Sequence, residues 1–269
     1  QEKRWLQFCR DYVPVKDSDG RFLLEARWTD KENERRNLAV IRYGDTIKRY
    51  DLTLFNSIYL NREKGTYSAI WQQYAAVMCA LLCNTDAETS QAFMDTCDFT
   101  AEEPIIGMRK IAADGAYLRR AESSNLHILS LVRKESISAI DAQIWKAQLQ
   151  VLFPLLEIER VSFIKRYRKQ VQEALGEKYH DFRTGRSQYI YQFGETVSDP
   201  DNAELGTIYR MTKLRRDADA YQYLLYIPDE QSRSRIELLH DLRNSLAHGN
   251  TCAIDKVIEF INGHPFDWN

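Results

Sequence analysis

The most constraining feature of this sequence is a capped amphipathic segment, residues 228–250. Pro228-Asp229-Glu230 is a typical helix start, because acidic residues in a first turn complement the positive end of the helix dipole. Gly249 is a typical stop, since glycine readily adopts the left-handed conformation that closes helices. Between them, four leucines have the spacing of one helical stripe: Leu238, Leu239, Leu242 and Leu246. The segment therefore predicts a helix with one face buried against a core.

The opposite face of this predicted helix has an unusual composition. At about 100° per residue, it carries His240, Arg243, Asn244, Ala247 and His248. A small residue in the middle of an exposed face lets a second backbone approach closely. An imidazole near a guanidinium suits general acid–base chemistry on a phosphodiester. We therefore regard this face as the candidate site; the alternative is an ordinary surface whose Arg and His make solvent-exposed hydrogen bonds.

The motif from Arg243 to His248, Arg-Asn-Ser-Leu-Ala-His, resembles the Arg-x(4–6)-His signature of the HEPN superfamily. Proteins similar in this motif are all-helical, usually dimeric, and often metal-independent ribonucleases of toxin, CRISPR-linked and other antiphage systems. The resemblance covers roughly residues 126–265. It implies that Arg243 binds the scissile phosphate, that His248 transfers protons and that Asn244 orients the site. A ribose 2′-hydroxyl would then be the nucleophile, leaving a 2′,3′-cyclic phosphate.

The resemblance also implies how the site is completed and what it works with. No cofactor is expected, and the expected partners are RNA, a second copy of the chain and further domains or subunits of a defence system. A polar residue of the preceding long helix often lies near the motif, and Glu157, Glu159 and Arg160 are equal candidates here. The alternative function is a non-catalytic module for dimerisation or assembly within a larger defence or regulatory protein.

The spacing of the motif predicts a homodimer. Arg243 and His248 are five residues apart, which separates them by about 140° around one helix. A two-fold axis near Ala247 would bring each of these residues towards its mate in a second copy. We therefore expect His240 and Ala247 to lie in a dimer interface.

Any contact with RNA must use a local patch, because the formal net charge is only −2. The cations that we assign to RNA binding are Arg160, Lys165, Arg168, Lys169, Arg215 and Arg216. Tyrosines interleave with these cations, among them Tyr221, Tyr223 and Tyr226. Phosphates are bound by Lys and Arg, and unstacked bases by aromatic faces. The alternative is a set of solvated helix faces and core tyrosines.

The 269 residues predict a mainly α fold with two regions. Residues 1–125 are expected to be mixed α/β or helical, and residues 126–269 to form a HEPN-like helical bundle. A long helix is predicted over 141–175, with a kink at Pro154 and an end at Gly176. Residues 75–83 are apolar all round, which is typical of a helix buried inside a domain.

The first sixty residues show no motif that indicates a function. We predict a short helix over 5–13, strands over 22–28 and 38–43, and a third strand over 46–54, where apolar residues partly alternate. The sequence begins at Gln1 rather than Met, which suggests a fragment of a longer protein or a renumbered start.

The five cysteines, at positions 9, 79, 83, 97 and 252, contain no Cys-x-x-Cys pair. A disulfide framework or zinc finger is therefore disfavoured, and a reducing cytoplasm is the simplest location. Cys79 and Cys83 are spaced to share a metal, but small core residues are the favoured interpretation. No apolar run reaches the roughly 18–20 residues that span a bilayer, so no membrane contact is expected.

Overall fold

A computed structural model describes residues 47–114 and 127–263, together with residues 4, 7, 8, 11, 12, 39 and 265. The chain divides into two compact units, Gln1–Lys48 and Arg49–Asn269. Of the predicted segments 5–13, 22–28 and 38–43, the structure describes residues 7, 8, 11, 12 and 39, and residues 7, 8 and 11 are helical as predicted. No helix in the described part of the chain is long and apolar enough to cross a membrane.

The described part of the second unit is mainly helical, so the predicted mainly α class is confirmed. Its helices are α1 Arg49–Glu63, α2 Ala69–Cys83, α3 Ala87–Thr96, α4 Pro104–Ala113, α5 Ile128–Arg133, α6 Ile137–Arg166, α7 Arg168–Gly176, α8 Leu205–Lys213, α9 Glu230–Ala247 and α10 Ile254–Asn262. Two small antiparallel hairpins pair β1 Tyr179–Asp181 with β2 Arg186–Gln188 and β3 Tyr191–Gln192 with β4 Glu195–Thr196. A 3-10 helix, Pro200–Asn202, precedes α8.

Helix α1 replaces the third predicted strand, so that prediction is wrong. The buried residues of α1 are Leu52, Asn56 and Leu60, which recur every four residues along one face. The alternation over 46–54 was too short to distinguish the two periods, whereas the spacing carried on to Leu60 is helical. Asn56 is satisfied in the interior, because its amide donates to the carbonyl of Ala76 at 3.0 Å.

Helix α2 lies at the centre of the core, as its apolar sequence predicted. Every residue from Tyr74 to Cys83 is buried, and the side chain of Ser68 caps the helix start. Cys79 and Cys83 are both buried in the core, which confirms their interpretation as small core residues. Burial raises the pKa of the Cys79 thiol well above its ordinary value, so the thiol stays neutral.

The core is shared across the predicted domain boundary at residue 125. Helix α2 packs against α6, and the Gln148 amide of α6 donates to the Tyr74 hydroxyl of α2 at 3.3 Å. Trp71 of α2 also donates to the side chain of Asn262, at the end of α10, at 2.7 Å. Helices before and after residue 125 therefore bury the same apolar surface, and both belong to the compact unit that begins at Arg49.

The long predicted helix is two helices. Helix α6 continues through Pro154, and the interruption comes at Tyr167, whose backbone leaves the helical region before α7 begins. Tyr167 is buried and its hydroxyl bonds to Asp229, which fixes the break in place. The predicted end at Gly176 is confirmed.

Candidate functional site

The candidate site lies on α9, and both ends of this helix form as predicted. The Asp229 carboxylate caps the start by accepting from the backbone N–H of Ser232 at 3.1 Å. At the other end, Gly249 has φ +77° and donates to the carbonyl of Leu246, and Asn250 donates to the carbonyl of Ser245. These two bonds form a Schellman cap, which places His248 at the C-cap.

The leucine stripe of α9 is buried as predicted. Its members are Leu238, Leu239, Leu242 and Leu246. They pack into the same core as α6, so the orientation of α9 about its own axis is set by apolar burial. This burial turns the opposite face of α9 away from α6.

Three polar contacts show that α9 runs antiparallel to α6. From the start of α6 to its end, Trp145 Nε1 donates to the Leu246 carbonyl at 2.8 Å, Glu159 pairs with Arg235, and the Tyr167 hydroxyl donates to Asp229 at 2.7 Å. As residue numbers rise along α6, those of its partners fall along α9. The Trp145 contact holds the backbone within the motif itself.

The central contact is a buried ion pair. The side chains of Arg235 and Glu159 are only 7% and 4% exposed. Arg235 Nε donates to one carboxylate oxygen at 2.8 Å and Nη2 donates to the other, while Nη2 also reaches the Phe260 carbonyl at 3.0 Å. Of the three candidates on the long helix, Glu159 therefore contacts α9 at Arg235, about two turns before Arg243.

Sequence reasoning missed Arg235, although a local signal was available. At about 100° per residue, position 235 falls within the leucine stripe. A charged residue on an apolar face indicates a buried ionic partner, because an unpaired charge is very unfavourable in a protein core. The identity of that partner could not be read from the sequence.

The predicted catalytic residues occupy the exposed end of α9. Asn244, Ala247 and His248 are exposed to solvent. Arg243 is 30% exposed, and its Nη2 lies 3.4 Å from a carboxylate oxygen of Glu204. The structure thus places Asn244 and His248 in the open and leaves Arg243 with an acidic neighbour.

Helix α8 lines one flank of the same face of α9, antiparallel to it. Glu204, just before α8, meets Arg243; the Tyr209 ring stacks on the His240 ring at 4.0 Å; and Lys213 lies 3.4 Å from Glu237. One ring face of His240, a predicted dimer-interface residue, is therefore already covered within its own chain. Sequence reasoning did not place Glu204 or Tyr209 beside α9, and no local pattern marks either as its neighbour.

The predicted RNA-binding cations divide into engaged and open side chains. The Arg160 guanidinium donates to Glu157 at 2.9 Å and to the Ala203 carbonyl at 3.0 Å. Arg168 pairs with Asp201 at 2.7 Å. These two arginines hold the segment around the 3-10 helix that precedes α8, so both position Glu204.

The other four predicted cations lie on α6, on α7 and just after α8. Arg215 stacks over the Tyr223 ring at 3.6 Å, and Arg216 pairs with Glu177 at 3.0 Å. Lys165 and Lys169 are exposed at the junction of α6 and α7, with Lys169 4.0 Å from Glu173. Of the six predicted cations, Arg160, Arg168 and Arg216 therefore have acidic partners within 3.0 Å, and Arg215 has an aromatic one.

The chemistry available at the exposed end of α9 is anion binding and proton transfer. Arg243 supplies a guanidinium for phosphate, and His248 supplies an imidazole that can take or give a proton. Among the described residues, no three His, Cys, Asp or Glu side chains come together as a metal site. Comparison with protein-family models, with curated proteins and with solved structures gives no match for this chain.

Proposed function

We propose that this chain is a metal-independent endoribonuclease of the HEPN type, acting in a defence or toxin-like system. The observation that carries the proposal is the placement of Arg243, Asn244 and His248 at the solvent end of a capped helix. The backbone there is held from behind by Trp145, so the three side chains project from a fixed support. Pre-organised support of this kind is what catalytic side chains require.

In the proposed reaction, the ribose 2′-hydroxyl attacks the adjacent phosphorus and the bond to the 5′-oxygen breaks. Arg243 offsets the charge that builds on the phosphate oxygens, and Asn244 orients the substrate. One imidazole takes the proton of the 2′-hydroxyl, and a protonated imidazole gives a proton to the leaving 5′-oxygen. The products are a 2′,3′-cyclic phosphate and a free 5′-hydroxyl.

Two imidazoles at one phosphate favour a homodimer. Five residues of helix place Arg243 and His248 about 140° apart, and Ala247 is exposed between them. A two-fold contact at Ala247 would bring His248 of the partner subunit to the same phosphate. His240 would contribute at the edge of this interface, because one face of its ring is stacked on Tyr209.

The test is cleavage of single-stranded RNA in the presence of EDTA. We expect wild type to cut and to leave 2′,3′-cyclic ends, and His248→Ala to be inactive yet folded. His180→Ala, which changes a partly exposed histidine on β1, is the matched control and should retain full activity. Equal degradation by wild type and His248→Ala, or a requirement for divalent metal, would show that the mechanism is wrong.

A second experiment tests the shared site. Ala247→Arg places a long cation in the middle of the proposed two-fold contact and should abolish both dimer and cleavage. Analytical ultracentrifugation at micromolar concentration, run beside the cleavage assay, measures both. A wild-type monomer that cuts RNA would contradict the shared site without contradicting the nuclease.

The second candidate function is a non-catalytic HEPN module for dimerisation or assembly. The Arg243–Glu204 ion pair favours it, because a phosphate would have to compete with a carboxylate already beside the guanidinium. In that case Ala247→Arg should disrupt self-association while no RNA cleavage is seen with any variant.

A further inference from the structure

A pocket of about 460 Å³ opens between α7 and the segment 214–227 that links α8 to α9. Three tyrosines, two glutamines, one arginine and one glutamate line it: Gln170, Glu173, Arg216, Tyr221, Gln222, Tyr223 and Tyr226. Its volume falls within the roughly 300–1,000 Å³ of small-molecule sites. No residue of the Arg–His motif contributes to it.

The tyrosines of this pocket are exposed on a fixed backbone. Tyr221 is 94% exposed and Tyr226 59% exposed, whereas their neighbours Leu224 and Leu225 are buried. The segment is pinned further by backbone bonds from Leu224 to Leu214 and from Leu225 to Met211. Large exposed aromatic groups on a rigid segment indicate a binding surface, because their rings gain nothing from the core of this chain.

Two arginines are held beside these rings. The Arg216 guanidinium donates to Glu177 at 3.0 Å and to the Tyr223 carbonyl at 3.3 Å. Arg215 stacks on the Tyr223 ring and donates to the Tyr221 carbonyl at 2.9 Å. Both cations are therefore held in place before any ligand arrives.

The lining chemistry selects among ligands. Three tyrosines could form a cage for an organic cation, but the guanidinium of Arg216 in the lining opposes a positive ligand. Because the Glu173 carboxylate also lines it, the pocket is not a simple phosphate site either. Aromatic faces accept a flat ring, and the amides of Gln170 and Gln222 each offer a donor and an acceptor to its polar edge.

We propose that this pocket binds a nucleobase of single-stranded RNA, with the adjoining phosphate towards Arg215 and Arg216. The proposal rests on the proposed function in taking RNA as the ligand, but it requires no cleavage. Glu204 meets Arg243 at one end of α8, and the pocket follows the other end. Nine helical residues span about 13 Å, so one strand of several nucleotides could reach both places.

The test measures binding without cleavage, by fluorescence anisotropy of a fluorescein-labelled twelve-nucleotide adenosine RNA with His248→Ala as the parent. Adding Tyr221→Ala and Tyr226→Ala together should weaken binding about tenfold or more, because stacking on each base contributes substantially to affinity. The salt dependence should stay unchanged, since no phosphate contact is removed. Tyr221→Phe with Tyr226→Phe keeps the ring faces and should bind like the parent.

The matched control is Tyr50→Ala on α1, which removes a tyrosine of comparable exposure and should leave binding unchanged. The proposal is overturned if the double alanine variant binds RNA as tightly as this control. It is also overturned if the double phenylalanine variant loses as much affinity as the double alanine variant. Adenosine monophosphate is the competitor: failure to displace the RNA supports a strand site, and displacement at equal nucleotide concentration overturns it in favour of a free nucleotide.

The outcomes for this pocket and for the nuclease are separable. If wild type cleaves RNA and the double alanine variant loses no affinity, the pocket proposal is wrong and the nuclease proposal stands. If the double alanine variant loses affinity but wild type cleaves no RNA, the nuclease proposal is wrong and the pocket proposal stands.

Discussion

The two sides of α9 carry the same kinds of polar contact in opposite surroundings. Towards α6, Arg235 and Glu159 form an ion pair almost completely removed from solvent, in the same core as the leucine stripe. Towards α8, Arg243–Glu204 and Lys213–Glu237 are ion pairs of 3.4 Å with partly exposed side chains. Separating a buried ion pair leaves two unpaired charges in a low-dielectric interior, which is very unfavourable. An exposed charge that loses its partner can instead interact with water or with a phosphate. Contacts on the α6 side therefore hold α9 in place, whereas the ion pairs on the α8 side can open to water or to an anion.

The largest expected effect is on stability and comes from the α6 side. Glu159→Ala leaves the Arg235 guanidinium buried without its carboxylate and should lower the free energy of unfolding by about 3–5 kcal/mol. Glu237→Ala removes a surface partner on the α8 side and should lower it by at most about 1 kcal/mol. Urea denaturation followed by circular dichroism measures both, and equal losses would remove the distinction between the two sides.

The Asp229 carboxylate that caps the start of α9 makes part of the protein's stability depend on pH. Hydrogen bonds from Ser232 and Tyr167 lower the pKa of the Asp229 carboxyl to about 2. A carboxyl whose pKa is depressed on folding contributes stability above its unfolded pKa, near 3.8, and loses that contribution as the pH falls through about 2. Asp229→Ala should therefore destabilise the protein by about 1 kcal/mol at pH 7, and the difference from wild type should shrink below pH 4.

Asp229→Asn is the control for that experiment, because an amide oxygen still caps the helix but has no carboxyl to titrate. At pH 7 its stability should lie between those of wild type and Asp229→Ala. Between pH 4 and pH 2 it should lose less stability than wild type, because position 229 no longer titrates. Thermal melts across this pH range decide the matter. A constant difference between wild type and Asp229→Ala would contradict the role of the ionised cap.

On the exposed side of α9, the Arg243–Glu204 pair is the contact that bears on the proposed RNA binding. Glu204→Gln removes the carboxylate that competes with phosphate and should tighten RNA binding by about two- to fivefold, in line with the roughly 0.5–1 kcal/mol of an exposed ion pair. Glu237→Gln on the same flank is the matched control and should change binding little. Weaker binding by Glu204→Gln would show that Glu204 positions Arg243 instead of opposing the ligand.

The smallest expected effect concerns the open cations at the junction of α6 and α7. Lys165→Ala and Lys169→Ala should each reduce the slope of log affinity against log salt by about 0.7, the value for one phosphate contact on a single strand. Lys146→Ala, on an exposed part of α6, is the control. An unchanged slope for both variants would assign these lysines to an ordinary solvated surface.

The sequence by itself determined the elements whose signals are local. The start, the buried stripe and the end of α9 follow from Asp229, the four leucines and Gly249, which all lie within one helix length. The burial of α2 likewise follows from its continuous apolar run. Local signals were insufficient at 46–54, where a partial alternation gave way to the helical spacing of Leu52, Asn56 and Leu60.

Only the tertiary structure decided what each polar side chain of α9 meets. Arg235 and Glu159 are 76 positions apart and Arg243 and Glu204 are 39 apart, so no periodicity links the members of either pair. The same holds for the tyrosine pocket, whose lining comes from α7 and from the segment after α8. Caps and stripes act over a few residues and can be read from the chain, whereas ion pairs and pockets depend on how helices pack, because packing brings together side chains that the sequence keeps far apart.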